Sequence, residues 1–239
     1  GHTTTLMQSL GSMVAFNALT TGDIDVYVEY SGTLWANEMK RADEVVSPAE
    51  VIGAVKQFLD ERYGVTLAAR LGFENAYALA VRETDARELN LRRISDLTPH
   101  APSLVIGGDY EFFARPEWQA IRNVYGLEFL DRRTMDSTLM YQATAQQNVD
   151  VISAFSSDGR VAAYDLIVLN DDQGAIPPYD AIVLVSQDLS EKAPMVVEAL
   201  SRLNDQITVE RMRRMNLAVD EAGEEPAIVA ARFVRDLTP

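Results

Sequence analysis

The sequence of 239 residues contains no cysteine. Disulfides, thiol catalysis and thiolate-bound metal are therefore excluded, while the redox compartment stays open. Histidine is almost as scarce: His2 and His100 stand far apart, and neither has a catalytic partner nearby in sequence. No nucleophile elbow and no His-Glu zinc motif occurs, so an enzyme is a remote reading and neither a cofactor nor a metal site is expected. Apolar runs are short, well under the roughly 20 residues of a membrane span, and the start shows no signal-peptide pattern. A soluble piece, mature or excised, without direct membrane insertion is expected. Basic residues are in deficit, 21 Lys and Arg against 36 Asp and Glu, which gives a net charge of −15. That charge repels phosphate backbones, no basic run offsets it locally, and nucleic-acid binding is excluded.

What is present is an ordinary globular composition, 47% hydrophobic and 24% charged, long enough for one large domain or two lobes of about 100 residues. The chain is organised around Gly22–Thr33. Ile24, Val26 and Val28 alternate as in a half-buried strand, which ends in Glu29-Tyr30-Ser31-Gly32-Thr33. The stretch from Ala18 to Ser31 aligns without a gap on Ala143 to Ser156, pairing Asp25 with Asp150, Tyr30 with Phe155 and Ser31 with Ser156. A helix, a short turn, a strand, an aromatic ring and a serine thus occur twice. Two similar lobes are expected, with Tyr30 and Phe155 across the gap.

Other elements follow from local chemistry. Gly1–Met7 reads as a β-branched strand, and residues 12–21 as a helix capped by Ser12. Ser47-Pro48-Ala49-Glu50 opens a helix with Val51, Val55, Phe58 and Leu59 on one face. Residues 67–71 and 77–81 read as extended pieces around Gly72-Phe73-Glu74-Asn75, and strands are expected at 103–106, 150–154, 165–169 and 182–185. A helix fits Asp136–Gln146, and helices fill the remainder after 185. Alternating strands and helices predict an α/β chain with mainly parallel sheets and helices on both faces. Lobe 1 is expected to hold residues 1–80 and 182–239, and lobe 2 residues 81–181, inserted between crossing segments near 78–82 and 179–183. Tyr27, Tyr63, Tyr110, Tyr141 and Tyr164 are expected in cores, as are Trp35 and Trp118. Asp158-Gly159-Arg160 reads as a turn with a local ion pair, and Asp171-Asp172 as a solvated turn. Gly107-Gly108-Asp109 lacks the lysine of a phosphate-binding loop.

The motifs EYSGT, GFENAYALAV, DYEFFARP, DVISAFSSDGR and IPPY, in this order and spacing, resemble the substrate-binding proteins of osmoprotectant ABC importers, which capture glycine betaine, choline and related quaternary amines. The resemblance covers nearly the whole chain. It implies the two-lobed, type II periplasmic-binding-protein-like fold with a two-segment hinge, located in the periplasm or on the outer face of the plasma membrane. It also implies an ABC permease as partner, separate or fused. Members normally open with a strand and helix carrying a Ser-Lys-x-Phe-type motif; that unit is missing here, so lobe 1 reads as truncated. The family's aromatic cage carries over onto Tyr30, Tyr77, Phe155 and Tyr179. Thr33 matches a polar position that helps set ligand choice, Asn75 one whose carbonyl faces the cation, and Arg115 the arginine that holds a betaine carboxylate, with Phe112 nearby. At Phe155 relatives usually carry tyrosine. A trimethylammonium group has no N–H to donate, so the negative faces of rings attract it, each by roughly 0.5–2 kcal/mol when desolvated. The alternatives are another zwitterion, such as ergothioneine or an amino-acid-like solute, and, remotely, an enzyme on the same fold.

Overall fold

The computed structural model describes residues 3–7, 10–41, 44 and 46–237. His2 and the beginning of the expected first strand lie outside them, and residues 3–7 form no strand. Helix α1 (Ser12–Thr21) ends on Gly22 at φ +83°, and the turn feeds β1 (Val26–Tyr30). Gly11, not Ser12, precedes the first helical residue, because the Ser12 hydroxyl is taken by Glu29. A single turn, α2 (Ser31–Thr33), runs into a π-helical turn at Leu34–Glu38. Helix α3 (Pro48–Tyr63) starts with the expected proline and with a reciprocal Ser47–Glu50 capping box, and stops at Gly64. Strands β2 (Thr66–Glu74) and β3 (Tyr77–Arg82) come next, then α4 (Glu83–Glu88), β4 (Val105–Gly108), α5 (Pro116–Tyr125) and β5 (Asp131–Thr134). Helix α6 (Ser137–Ala145), capped by the Asp136 carboxylate, precedes β6 (Val151–Phe155), α7 (Arg160–Ala163), β7 (Leu166–Val168) and β8 (Asp180–Val185). Four helices follow: α8 (Gln187–Lys192), α9 (Pro194–Ser201), α10 (Val209–Asp220) and α11 (Pro226–Leu237).

The chain forms two compact units, Gly1–Gly72 with Tyr179–Ile207, and Phe73–Pro178 with Thr208–Pro239. In the first unit the sheet has the order β1-β8-β2, with β8 buried along its whole length and antiparallel to β1. Phe16, Leu19, Leu34, Trp35, Val51, Val55, Leu59, Ile182 and Leu184 make its core. The second unit's sheet has the order β5-β4-β6-β3-β7; β4 is parallel to β5 and β6, and β3 is antiparallel to β6 and β7. Strand alternation sends Leu79, Val81, Ile106 and Val151 to one core, and Ala80, Ile152 and Ala154 to another with Met140 and Tyr141.

Two expectations need correction. The sheets are mixed, not mainly parallel: β3 and β8 enter directly from segments that cross between units, without the crossover helix that would turn them parallel to their neighbours. The division also differs from 1–80 with 182–239 and 81–181. The chain passes between units at 72/73, 178/179 and 207/208, so α10 and α11 belong to the second unit. The additional crossing lies beside the first, where Asp205 N–H donates to Arg70 O at 2.8 Å and Ile207 N–H to Leu71 O at 2.9 Å.

The expected repeat is present in atomic detail. Gly22 and Gln147, equivalent in the alignment, both have left-handed backbones, at φ +83° and +62°. In both copies the residue after them donates back into the helix, Asp23 N–H to Ala18 O at 2.8 Å and Asn148 N–H to Ala143 O at 2.9 Å. The strands that follow occupy equivalent positions, Val26–Tyr30 and Val151–Phe155. The serine after each strand accepts from the neighbouring strand's entry: Ser31 Oγ from Asp180 N–H and Ser156 Oγ from Ala76 N–H, each at 3.0 Å.

Gly72 marks the first crossing at φ +104°, and an added Cβ would lie 2.9 Å from Asp205 Cα. Gly72→Ala is expected to destabilise the protein by roughly 1–3 kcal/mol through backbone strain alone. Urea unfolding checks this; an unchanged midpoint would contradict it.

Candidate functional site

In the second unit, Tyr77 opens β3 and Phe155 closes β6, and the antiparallel register sets them opposite each other. Their ring centres are 4.9 Å apart, and Phe112 lies 5.2 Å from Tyr77 on a tilted plane. The Tyr77 hydroxyl donates to Asp109 Oδ2 at 3.0 Å. Burial first, then Asp109, pushes its pKa well above the ordinary value, so the phenol stays a protonated donor. Asp109 Oδ1 accepts from the N–H groups of Glu111 and Phe112, at 2.8 and 2.9 Å, and so fixes the start of the DYEFFARP loop. Gly108 has a steric reason to be glycine, since a Cβ there would come within 3.0 Å of the Phe112 and Phe113 rings.

Arg115 is at the end of this loop, with its guanidinium carbon 5.1 Å from the Tyr77 ring centre. The ring face therefore already engages a cation. The same guanidinium grips buried Glu117 with Nε and Nη2, both at 3.2 Å, and reaches Glu111 with Nη1 at 3.4 Å. Asp109 on the Tyr77 hydroxyl, with Glu111 and Glu117 on the Arg115 guanidinium, thus gathers three carboxylates and one cation about the Tyr77 ring.

The extended entry to β3 is held from the opposite strand. Ser156 Oγ donates to Glu74 O at 2.9 Å, and Ser157 Oγ donates to Asn75 Oδ1 at 2.9 Å. Asn75, Tyr77 and Phe155 are each partly exposed, whereas Phe112 is completely buried. Phe112 consequently backs Tyr77 from inside the core in place of lining a surface. Tyr110 is 73% exposed, contrary to the core position expected for it, because the Asp109 turn throws it outward while turning Phe112 in. Tyr141 is buried as expected, and Tyr27, Tyr63 and Tyr164 pack half-buried on the cores; both tryptophans are buried.

In the first unit, Tyr30 closes β1 opposite Ala181, half-buried, and Thr33 ends the short helix after it. Sequence reasoning assigned no role to Glu29. Its buried carboxylate accepts from Ser12 Oγ at 2.9 Å, Tyr27 Oη at 3.2 Å and Tyr30 N–H at 2.7 Å, which fixes the backbone that carries Tyr30. Tyr179 precedes β8, whose first N–H is held by Ser31. In the second unit, the Asp171 carboxylate accepts from Tyr125 Oη and from the N–H groups of Ala175 and Ile176, at 3.0 and 2.7 Å, so the turn expected to be solvated is instead tied down by its first acid. Asp158 and Arg160 form the expected pair, 2.6 Å apart, and the guanidinium also lies 4.5 Å from the Tyr141 ring centre. His100 acts through its backbone, its carbonyl accepting the Ser103 hydroxyl at 2.8 Å. Among the described residues no group of three or more metal-ligating side chains comes together, and no helix is long and apolar enough to cross a membrane.

Two α/β units, each with a repeated strand that ends in an aromatic residue, define a protein of the solute-binding class. The family described as the substrate-binding domain of the ABC-type glycine betaine transport system matches residues 1–236, and the chain belongs to it. A carnitine transport binding protein of Listeria monocytogenes is 31% identical over 96% of this chain and 76% of its own length. A glycine-betaine-binding protein of Pseudomonas aeruginosa is 30% identical over 99% of this chain and 79% of its own length. An ergothioneine transport permease/ergothioneine binding protein of Helicobacter pylori is 29% identical over 95% of this chain; the chain spans only 41% of that relative. A crystal structure of a glycine betaine/carnitine/choline ABC transporter protein superposes with a TM-score of 0.89 at 32% identity, over 95% of this chain and 84% of that one. Family membership makes the chain a substrate-binding domain and not an enzyme.

Two outcomes are expected. Asp109→Ala leaves a hydroxyl and two N–H groups without their acceptor, at a cost of about 1–3 kcal/mol, read by chemical denaturation; an unchanged stability would contradict the Asp109 role. Burial raises the pKa of Tyr27, Tyr77, Tyr125 and Tyr141. Their stabilisation is complete below the unfolded value of about 10 and falls as pH rises beyond it. An ultraviolet titration should therefore show these four of the nine tyrosines ionising only as near-ultraviolet dichroism is lost. Nine ionisations in the folded protein would refute this.

Proposed function

We propose that this chain captures a quaternary-ammonium compatible solute, such as glycine betaine, choline or carnitine, for an ABC permease, and that it works in the periplasm or on the outer face of the plasma membrane. The observation that carries the reading is Tyr77: a partly exposed ring beside Phe155, pinned through its hydroxyl, with a guanidinium already over its face. A ring so fixed presents its negative face without paying the cost of ordering on binding. The surplus of carboxylates around it favours a positive guest.

Tyr30, Thr33, Tyr179 and the Asn75 carbonyl are proposed as further ligand contacts on the family pattern. Phe112 supports Tyr77 from behind. Arg115 is proposed to hold a ligand carboxylate, for which its planar fork suits it better than lysine. Glu111, the longer and exposed of its two ion pairs, is the contact a carboxylate would replace. A second reading keeps the fold and takes ergothioneine, itself a trimethylated zwitterion; the ergothioneine relative and the hydroxyl-free ring at Phe155 favour it.

Calorimetry with glycine betaine, choline, carnitine and ergothioneine decides between these. Binding of none would overturn both. Tyr77→Ala should weaken a quaternary amine by about 1–2 kcal/mol. Arg115→Ala should weaken glycine betaine more than choline, by about 1.5–3 kcal/mol for the lost charge-assisted contact. Equal losses for the two ligands would remove Arg115 from the carboxylate site.

A further inference from the structure

The turn after Phe155 is gripped from behind by a helix more than fifty residues away in sequence. Arg213 on α10 donates Nε–H to Ser156 O at 2.8 Å, and one turn further along Asn216 donates Nδ2–H to Ser157 O at 2.9 Å. Gly159 lets the helix come this close. A Cβ there would lie 2.6 Å from Leu217 N and 2.7 Å from Arg213 O, so any side chain would push α10 away. The carbonyls so held belong to the residues whose hydroxyls hold the β3 entry. Ser156 Oγ accepts from Ala76 N–H at 3.0 Å and donates to Glu74 O at 2.9 Å; Ser157 Oγ donates to Asn75 at 2.9 Å. One continuous set of polar contacts therefore runs from α10 through Ser156 and Ser157 to the residue before Tyr77.

We propose that Arg213 and Asn216 are positioning residues for the ligand, setting the separation of the Tyr77 and Phe155 rings through the two serines, with Gly159 as the steric condition for it. The ligand part of this assignment rests on the quaternary-amine reading; the positioning part does not. Neither side chain lies in the ring cluster. Their effect on a guest passes through the backbone they fix, and it falls alike on ligands with and without a carboxylate, unlike that of Arg115.

The test uses the whole chain with Arg213→Ala, Asn216→Ala, Gly159→Ala, the rescue Arg213→Lys, and Arg214→Ala as a control at an exposed position on the same helix. The ligand-free readout is the nuclear magnetic resonance spectrum of the Ala76 and Tyr77 amides and of the Tyr77 and Phe155 rings. The second readout is calorimetry with glycine betaine and with choline. Each of Arg213→Ala and Asn216→Ala should shift those signals and weaken both ligands by roughly three- to tenfold, the worth of one hydrogen bond. Gly159→Ala should do the same, Arg213→Lys should recover part of the loss, and Arg214→Ala should match the parent. Asn216→Ala, which removes a single contact, carries the test if Arg213→Ala fails to fold. Unshifted Ala76, Tyr77 and Phe155 signals in folded variants overturn the proposal, as does a loss equally large in Arg214→Ala. If the parent chain binds neither amine, the quaternary-amine reading falls, and the positioning assignment is judged by the ligand-free spectra.

Discussion

A serine hydroxyl that accepts one backbone N–H fixes most of what matters in each unit. Ser31 does this for β8 and Ser156 for β3. The residue just before each serine ends its strand and carries an aromatic ring, so the bond that fixes the strand register also fixes where the ring emerges. Antiparallel pairing alone leaves a strand end free to fray, and a side-chain acceptor just past the strand limits that freedom. Around Tyr77 this backbone lock is joined by Asp109 on the hydroxyl and Phe112 on the ring. The result is a rigid aromatic surface built with few flexible groups.

The charges around that surface differ in kind. Arg115 and Glu117 meet through two contacts with the carboxylate buried, while Glu111 is exposed and more distant. Breaking the first would strand a buried charge, at a cost several times that of losing a surface pair. Of these two ion pairs, the one with Glu117 is thus the firmer and the one with Glu111 the weaker.

How much of this was legible in the sequence depended on the range of the interactions. The helix–turn–strand repeat was readable because its determinants are local: a left-handed residue after the helix, two alternating apolar positions, and a serine next to a ring. The Ser47–Glu50 start of α3 was readable for the same reason. The attachment of α10 was not. Its amphipathic pattern says that one face is covered but not by what, and the partners, two backbone carbonyls near residue 156, leave no mark on composition. Phe112 and Tyr110 exchanged their expected surroundings because a single carboxylate, Asp109, turns the loop between them. The mixed sheets were missed because alternation of strands and helices does not record which strands are entered without a crossover helix.

Because the chain passes between its units three times, neither unit is a continuous stretch of polypeptide. During synthesis the first unit waits for β8, its central strand, which emerges some 150 residues after β1. The second unit waits longer still, for α10. Until then Ser156 and Ser157 keep carbonyls that no helix covers, so the turn beyond Phe155 is fixed only once α10 is present. Contacts this distant along the chain carry a large loop-closure entropy and slow folding accordingly. The chain therefore completes the support of its Tyr77–Phe155 surface only after α10 has been made.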